Sequence, residues 1–402
     1  MNQLFQPSQT KSHAPVKASG FALFELGFRP FYLLAAFWSV LVILEWLLEL
    51  NGLGFRRNRV IPGMQWHAHE MVFSFASTVV CGFALTAVQA WTGLATPKGK
   101  PLMYLALLWI AGKLGTFIDI RFMLVDFLFL PAIAIVIAKL ILERRQYRNL
   151  FLPLILTILA NLNILFYMAV IGKIHMSADT LLKASLYLIL IIEFIIGGRV
   201  IPSFTKNAIP GLKQSRNDTL SKLTFGTSIA SLLSQLVMES GLIPSIVPAT
   251  LATIAALLQI TMLIGWNPWA TRAKPILWIL HASYSWVSIG FILLSLYNFG
   301  VLTIYPALHA FGIGLTGGLI IGMITRTALG HTARPLIAGK IETSAYALVQ
   351  IASICWLLSH LPVWQLGQLV TVAGVLWIIA FTLYLFKYVP FLMSPRLDGK
   401  PG

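Results

Sequence analysis

The chain has 402 residues, of which 58% are hydrophobic and only 10% are charged, and its mean hydropathy is +0.82. Roughly a quarter of the residues of a soluble domain are charged, so this composition excludes an ordinary soluble protein. The formal net charge of +16 would suit a nucleic-acid-binding protein. Because the lysines and arginines gather in short loops, as membrane topology requires, membrane lipid is the expected partner and nucleic acid is not.

Twelve apolar runs of spanning length follow the polar residues at the start of the chain. Backbone groups in lipid must be hydrogen-bonded within their own segment, which makes helices the expected form. The sequence therefore predicts an all-α polytopic membrane protein with one membrane domain at 29–390 and polar tails at 1–28 and 391–402. The predicted spans are 30–50, 66–91, 101–118, 121–142, 150–171, 181–202, 220–240, 243–265, 275–298, 302–326, 342–360 and 364–387.

Basic residues cluster in alternate loops and set the predicted orientation. With the N-terminus facing inward, the inner loops hold most of the lysines and arginines, and the last three outer loops hold none. This bias predicts that both termini face the cytoplasm. Cys81 and Cys355 both lie inside apolar runs, so we expect buried apolar residues rather than a disulfide or metal ligands.

Five histidines on or beside the apolar runs are candidate ligands of a haem or metal. His67 and His69 at the start of span two and His309 near the outer end of span ten form an outer set. His281 in span nine and His331 at the inner end of span ten form an inner set, on the order of 15 Å away along the membrane normal. Metal–nitrogen bonds are about 2 Å long, so one metal cannot bind both sets.

His67 and His69 are two residues apart, and such residues point about 200° apart on an α-helix. Either one is a ligand and the other a supporting or surface group, or this turn is unwound. His69 lies further into the membrane and is the expected ligand, with His309 as its partner. His67 is then a supporting group or a copper ligand, since imidazole suits copper.

Charged residues inside an apolar run are rare and usually functional. Glu193 in span six is such a residue, usable as a proton relay or a ligand, or else as the partner of Lys113 in span three. Arg29 opens span one, where it can anchor the inner face or bind an anionic group such as a carboxylate.

Five motifs match those of one known family: FELGFRPF at 24–31, WHAHEM at 66–71, GGRVIPSFT at 197–205, HA at 309–310 and RTALGHT at 326–332. The WHAHEM block and the Gly-His-Thr turn at 330–332 are specific in combination. On these motifs the chain resembles the NnrS family of bacterial inner-membrane proteins along nearly its whole length. The resemblance implies a twelve-span protein of the bacterial inner (cytoplasmic) membrane that contains haem b and copper and is linked to nitric oxide metabolism and nitrosative stress.

A more distant similarity is to the catalytic subunit of haem–copper oxidases and nitric oxide reductases. That fold has twelve spans in three four-helix units, with haem histidines on spans two and ten, where His69 and His309 fall. Spans six and seven here lack the histidines that its copper needs, so an oxidase-type binuclear centre is not expected. The similarity is an analogy of fold alone.

The leading hypothesis is a haem- and copper-binding membrane protein that handles nitric oxide or nitrosyl–iron species. Such a protein can be a haem-dependent oxidoreductase, and the sequence does not decide whether it is an enzyme. His69 and His309 are expected to hold haem iron, or each a separate metal, and His281 and His331 an inner site. Two alternatives stay open, a transporter that uses Glu193 and Lys113 and a non-catalytic haem or metal sensor. The arginines expected to pair with haem propionates at an inward-facing haem edge are Arg29, Arg199, Arg326 and Arg334.

Overall fold

A computed structural model describes residues 20–360 and 367–400. Within these ranges the protein is built from twelve long helices, with no strand. The prediction of an all-α polytopic membrane protein is confirmed. The helices are α1 Phe28–Leu50, α2 Gly63–Thr92, α3 Lys100–Ile118, α4 Met123–Glu143, α5 Phe151–Val170, α6 Ala178–Ala208, α7 Asp218–Glu239, α8 Ile246–Gly265, α9 Pro275–Asn298, α10 Tyr305–His331, α11 Lys340–Leu358 and α12 Gly367–Met393.

Eleven of these helices are long and apolar enough to cross a membrane, as judged by length and composition over the described part of the chain. The remaining helix, α7, has 22 residues and is enriched in serine and threonine, which lowers its mean hydropathy. It packs against α6 and α8 in the position of the predicted seventh span. The expected division into three four-helix units stays a prediction.

Apart from α2 and α3, helices that follow one another in the described chain pack together, and α1 packs against α12, which brings the two ends of the bundle into contact. The most enclosed spans are α2 and α10, with 78% and 72% of their apolar windows buried inside the protein. These two helices carry four of the five predicted histidine ligands, His67, His69, His309 and His331. The fold therefore places the histidine-bearing helices at the centre and gives the outer positions to helices such as α3 and α11, with 39% and 33% buried.

Glycines on α10 let neighbouring side chains approach its backbone, and one of them offers a test of the packing. The Trp286 indole of α9 lies against Gly314, where an added Cβ would overlap the ring. The same indole Nε1 donates to Gln350 Oε1 of α11 at 2.8 Å, so the ring is held in place. Close backbone approach at a small residue is the expected packing between membrane helices.

We expect Gly314→Ala to lower the free energy of unfolding by about 1–3 kcal/mol, the usual effect of overpacking. The matched control is Gly226→Ala on α7, because nothing lies within 4 Å of a Cβ added there. That change should be neutral or stabilise by up to about 1 kcal/mol through helix propensity. Thermal unfolding of both variants in detergent, followed by circular dichroism, measures the difference; equal midpoints would contradict the packing described.

Candidate functional site

A cavity of about 280 Å³ lies between α1, α2, α6, α10, α11 and α12, near the helix ends predicted to face outward. His67 of α2 and His309 of α10 both line it. Apolar side chains form most of the wall, and a small polar group lies at the mouth, where Gln65 Nε2 donates to Asp179 Oδ1 at 3.0 Å. An apolar pocket with few convergent polar groups is the usual form of a small-molecule site.

The imidazoles of His67 and His309 face each other across this cavity. Their planes differ by only 10° and their centroids are 6.5 Å apart. Each ring also stacks on an indole: Trp46 lies 5.4 Å from His67, and Trp356 stacks on His309 at 3.5 Å. We call these four side chains the ring column. The indoles orient both imidazoles, and His309 is held more closely than His67.

Each ring of this pair keeps at least one nitrogen available for a ligand. His309 Nδ1 lies 3.0 Å from the carbonyl oxygen of Tyr305, one turn earlier in α10. A carbonyl only accepts, so Nδ1 carries the proton and the lone pair is on Nε2. His67 Nδ1 is buried without a hydrogen-bond partner in the part of the chain that the structure describes. A histidine oriented by a backbone carbonyl through one nitrogen is the usual arrangement of a metal ligand.

The spacing of the two rings allows a simple test of fit. A metal held by one nitrogen of each imidazole lies about 2 Å from each nitrogen. Adding about 1 Å from nitrogen to ring centre on each side separates the centroids by roughly 6 Å. The separation of 6.5 Å in the structure is close to this value. The centroid separation therefore matches that of two imidazoles on one metal, and because each lone pair lies in its ring plane, the stacked rings would turn to present a nitrogen to the gap.

A purely protein-bound metal would need further ligands. Among residues 20–360 and 367–400, no group of three or more histidine, cysteine, aspartate or glutamate side chains is placed to hold a metal ion. The softer donors nearby are Met64 and Met71, whose side chains line the same cavity. His67 and His309 thus supply two ligands, which is the number that a haem iron takes from a protein at most.

His69 points away from the cavity into the bundle formed by α2 to α5. Its Nε2 lies 2.7 Å from Asn163 Oδ1 and its Nδ1 lies 2.9 Å from Glu70 Oε1. The structure thus pairs His309 with His67 instead of His69, because Gly63–His69 stays helical and the two side chains point to opposite sides. As a metal ligand, His69 would first have to break one of these two hydrogen bonds.

The partners of His69 extend into a buried polar network that sequence reasoning missed. Lys113 forms an ion pair with Asp126. Asn163 Nδ2 and the Tyr167 hydroxyl each donate to Asp126 Oδ2 at 3.0 Å. At the other end, Trp38 Nε1 donates to Glu70 Oε2 at 2.7 Å, and Ser74 donates to the same oxygen. The polar network consists of Trp38, His69, Glu70, Ser74, Lys113, Asp126, Asn163 and Tyr167.

This network corrects the expected partner of Glu193. Lys113 is bonded to Asp126, whereas Glu193 of α6 accepts a hydrogen bond from Thr316 of α10. The pairing of Glu193 with Lys113 is wrong, because each side chain has a nearer partner on a neighbouring helix. A transport path built on these two residues together has no support in this arrangement.

The helices α2 and α10 each widen into a π-helix directly after a histidine. In α2 the π segment runs Glu70–Ala76, after His69, and in α10 it runs Ala310–Gly317, after His309. Such segments are rare and occur mainly at functional sites. In α2 the Ser77 hydroxyl donates to the Val72 carbonyl at 2.8 Å, so a side chain bonds a carbonyl inside the wider turn. Hydropathy patterns carry no signal for these segments.

The structure does not bring the two inner histidines into contact among the residues that it describes. His281 Nε2 lies 2.8 Å from the Thr205 hydroxyl, and the ring packs edge-on against Trp266 at 6.3 Å. The His331 ring instead lies 5.4 Å from Phe28 at the start of α1. An inner metal site shared by these two histidines therefore has no geometric basis here.

The predicted arginines lie at the opposite helix ends from the cavity. Arg29 is fully buried and its Nη1 donates to the carbonyls of Leu392 and Ser394 at 2.8 Å, which joins α1 to the end of α12. Arg326 stacks on a ring, 3.9 Å from its centroid, and Arg199 is exposed. Seventeen residues of α10 separate His309 from Arg326, roughly 25 Å. These arginines cannot reach the propionates of a haem held at the cavity.

The cation that lines the cavity is Lys183. Its Nζ lies 2.5 Å from Glu239 Oε1 of α7, at the cavity mouth. Outside the spans, burial lowers the pKa of the Arg334 guanidinium, which stacks 3.9 Å from the centroid of Phe391. Among the described residues that line the cavity, Lys183 is the one cation that can meet an anionic group entering from the predicted outer side.

The family profile described as NnrS protein matches residues 22–396. Comparison with curated proteins finds no match. The matched range includes the cavity, the ring column and the polar network, so it covers every feature of the site described above. The chain therefore belongs to the NnrS family.

Proposed function

We propose that the protein binds haem in this cavity and handles nitric oxide there, and that His67 and His309 are the side chains that would hold the haem iron. Membership of the NnrS family supports a membrane protein related to nitric oxide at the level of the family. The observation that carries the more specific proposal is the pair of facing imidazoles, 6.5 Å apart, with an unpartnered buried nitrogen on His67.

Haem fits this site better than a bare metal ion because the pair supplies only two protein ligands. The ring nitrogens of a haem supply the other four, so no third side chain is needed. Copper, which the family resemblance also implies, would have to use Met64 or Met71 with one of the histidines, since thioethers suit Cu(I). We therefore propose haem as the main ligand of this cavity and copper as the alternative ligand of the same side chains.

The two histidines are held unequally, and this difference bears on gas binding. His309 is oriented by the Tyr305 carbonyl and by close stacking on Trp356. His67 has no hydrogen bond in the described chain and a looser contact with Trp46. When bound, haem supplies exchangeable gas binding and one-electron chemistry. His67 is the side chain expected to move aside for a gas, while His309 keeps its position.

The surroundings favour a small neutral ligand. The wall is mostly apolar, so a gas such as nitric oxide can enter from the lipid, and water is largely kept out. Lys183 and Gln65 lie at the mouth, where they would meet the propionate edge of a haem. With the predicted orientation, the cavity opens near the outer face of the bacterial inner membrane.

A visible spectrum of the detergent-purified protein tests this proposal. We expect a Soret band, about one haem per chain, and a shift of the band when nitric oxide is added. Consumption of nitric oxide under reducing conditions would mark an enzyme, and binding without consumption a sensor. Absence of both a Soret band and stoichiometric metal would overturn the proposal and make a transporter the leading hypothesis.

A further inference from the structure

A second polar group lies beside the cavity, and the haem proposal does not use it. Glu193 is on α6, and its Oε2 accepts a hydrogen bond from Thr316 Oγ1 at 3.1 Å. Thr316 belongs to the π segment of α10 and lines the cavity. It lies seven residues, or about two turns, after His309. The threonine hydroxyl therefore stands between a carboxyl group and the space in which a ligand would bind.

Glu193 has no ion-pair partner among the residues that the structure describes. The helices α2, α5 and α9, which all pack against α6, contain no lysine or arginine. On α6 itself, Lys183 is paired with Glu239 and Arg199 is exposed. On α10, Arg326 stacks on an aromatic ring, 3.9 Å from its centroid. No cation is therefore placed to stabilise a carboxylate at this position.

The other titratable groups around Glu193 are neutral or committed elsewhere. Tyr284 of α9 faces it, with its ring against Gly197 one turn along α6, and a phenol is uncharged. On α5, Tyr167 is bonded to Asp126, and on α2, Glu70 is bonded within the polar network. The acidic and basic residues of α7 lie at its ends. A lone carboxylate in apolar surroundings is costly, so the neutral acid is the favoured form.

We propose that Glu193 is the proton-exchanging group of this cavity, protonated in the resting protein, and that the Thr316 hydroxyl relays its proton to a bound ligand. A hydroxyl both donates and accepts and can rotate between the two roles. Thr316 therefore accepts the carboxyl proton as it releases its own proton to a basic oxygen or nitrogen of the ligand. Glu193 becomes a carboxylate and regains a proton from water at the cavity mouth through the same Thr316 hydroxyl, and no electrons move in this step.

The identity of the ligand that receives the proton rests on the proposed function. A nitrogen oxide that gains electrons becomes more basic and takes up protons. A site that excludes bulk water then needs a side chain to deliver them. The state of Glu193 and its link to the cavity through Thr316 can be measured without any cofactor, so the two proposals fail separately.

Infrared spectroscopy of the cofactor-free protein tests the protonation of Glu193. The wild type should show the C=O band of a protonated carboxylic acid that shifts in D₂O, and Glu193→Gln should lack it. Glu239→Gln is the matched control, because Glu239 forms an ion pair with Lys183 at 2.5 Å and its loss should leave the band unchanged. A band that persists unchanged in Glu193→Gln would overturn the assignment, whatever the haem content.

The relay is tested by the rate at which this band shifts after transfer to D₂O. Thr316→Val keeps the shape of the side chain but removes the hydroxyl. It should slow the exchange by on the order of 100-fold, the lower end of the range for losing a positioned proton donor or acceptor. Thr316→Ser keeps the hydroxyl and should exchange at nearly the wild-type rate. Equal rates in Thr316→Val and the wild type would overturn the relay. A missing Soret band in the haem-loaded preparation would instead count against the proposed function alone.

Discussion

Replacing His309 by alanine is expected to lower the affinity for haem by on the order of 100-fold or more, since losing even a supporting residue of a metal ligand costs about 10–100-fold. His67→Ala should have a smaller effect, with the haem retained on His309 and its spectrum changed to that of an iron with one histidine. The measurement is haem per chain and the Soret position after purification at matched expression.

His360→Ala is the control for this pair. His360 stacks on Trp356 at 4.1 Å, outside the pair of facing imidazoles, so its loss should leave haem content unchanged. His69→Ala separates the two pairings, because His69 is bonded on both nitrogens within the polar network. It should lower thermal stability while the haem remains. Loss of haem in His69→Ala with retention in His67→Ala would restore the pairing of His69 with His309.

Lys113→Met is expected to lower the free energy of unfolding by about 3–5 kcal/mol, the cost of leaving one partner of a buried ion pair without the other. Both side chains are almost fully buried, with 3% of Lys113 and 1% of Asp126 exposed. The double variant Lys113→Met/Asp126→Leu should recover most of this loss, because it leaves no unpaired charge. Chemical unfolding in detergent, followed by tryptophan fluorescence, measures all three proteins.

Arg121→Ala provides the control for the ion pair. Arg121 bonds Asp119 in the turn between α3 and α4, and 86% of its side chain is exposed. Exposed pairs contribute little, so this variant should unfold at the wild-type denaturant concentration. If Lys113→Met were as stable as Arg121→Ala, the polar network would not hold α3 to α5 together in the way that we describe.

The sequence predicted the positions of the spans well because length and hydropathy decide which segments can cross a membrane. The predicted span 275–298 coincides with α9, whereas the predicted 181–202 grows to Ala178–Ala208. The difference arises because α6 continues past Pro202 into a polar stretch that hydropathy excludes. Helix ends in polar segments depend on local hydrogen bonding and not on the apolar run.

The choice of ligand was harder to predict because it depends on how each helix is rotated in the bundle. The helical period correctly placed His67 and His69 on opposite sides of α2. The greater depth of His69 in the membrane then favoured it as the ligand. The direction of each side chain decides instead, and of the two it is His67 that faces His309. The π segments and the pairing of Lys113 with Asp126 likewise arise from contacts between helices, for which spacing along one helix has no signal.

The central claim is that one metal lies between His67 and His309, and the hyperfine couplings of its ligand nitrogens test it most directly. Pulsed electron paramagnetic resonance of the oxidised protein, labelled with ¹⁵N-histidine, counts the imidazoles bound to the metal. We predict two histidine nitrogens in the wild type and in His69→Ala, and one in His67→Ala. Two histidine nitrogens in His67→Ala, or one in His69→Ala, would contradict the account.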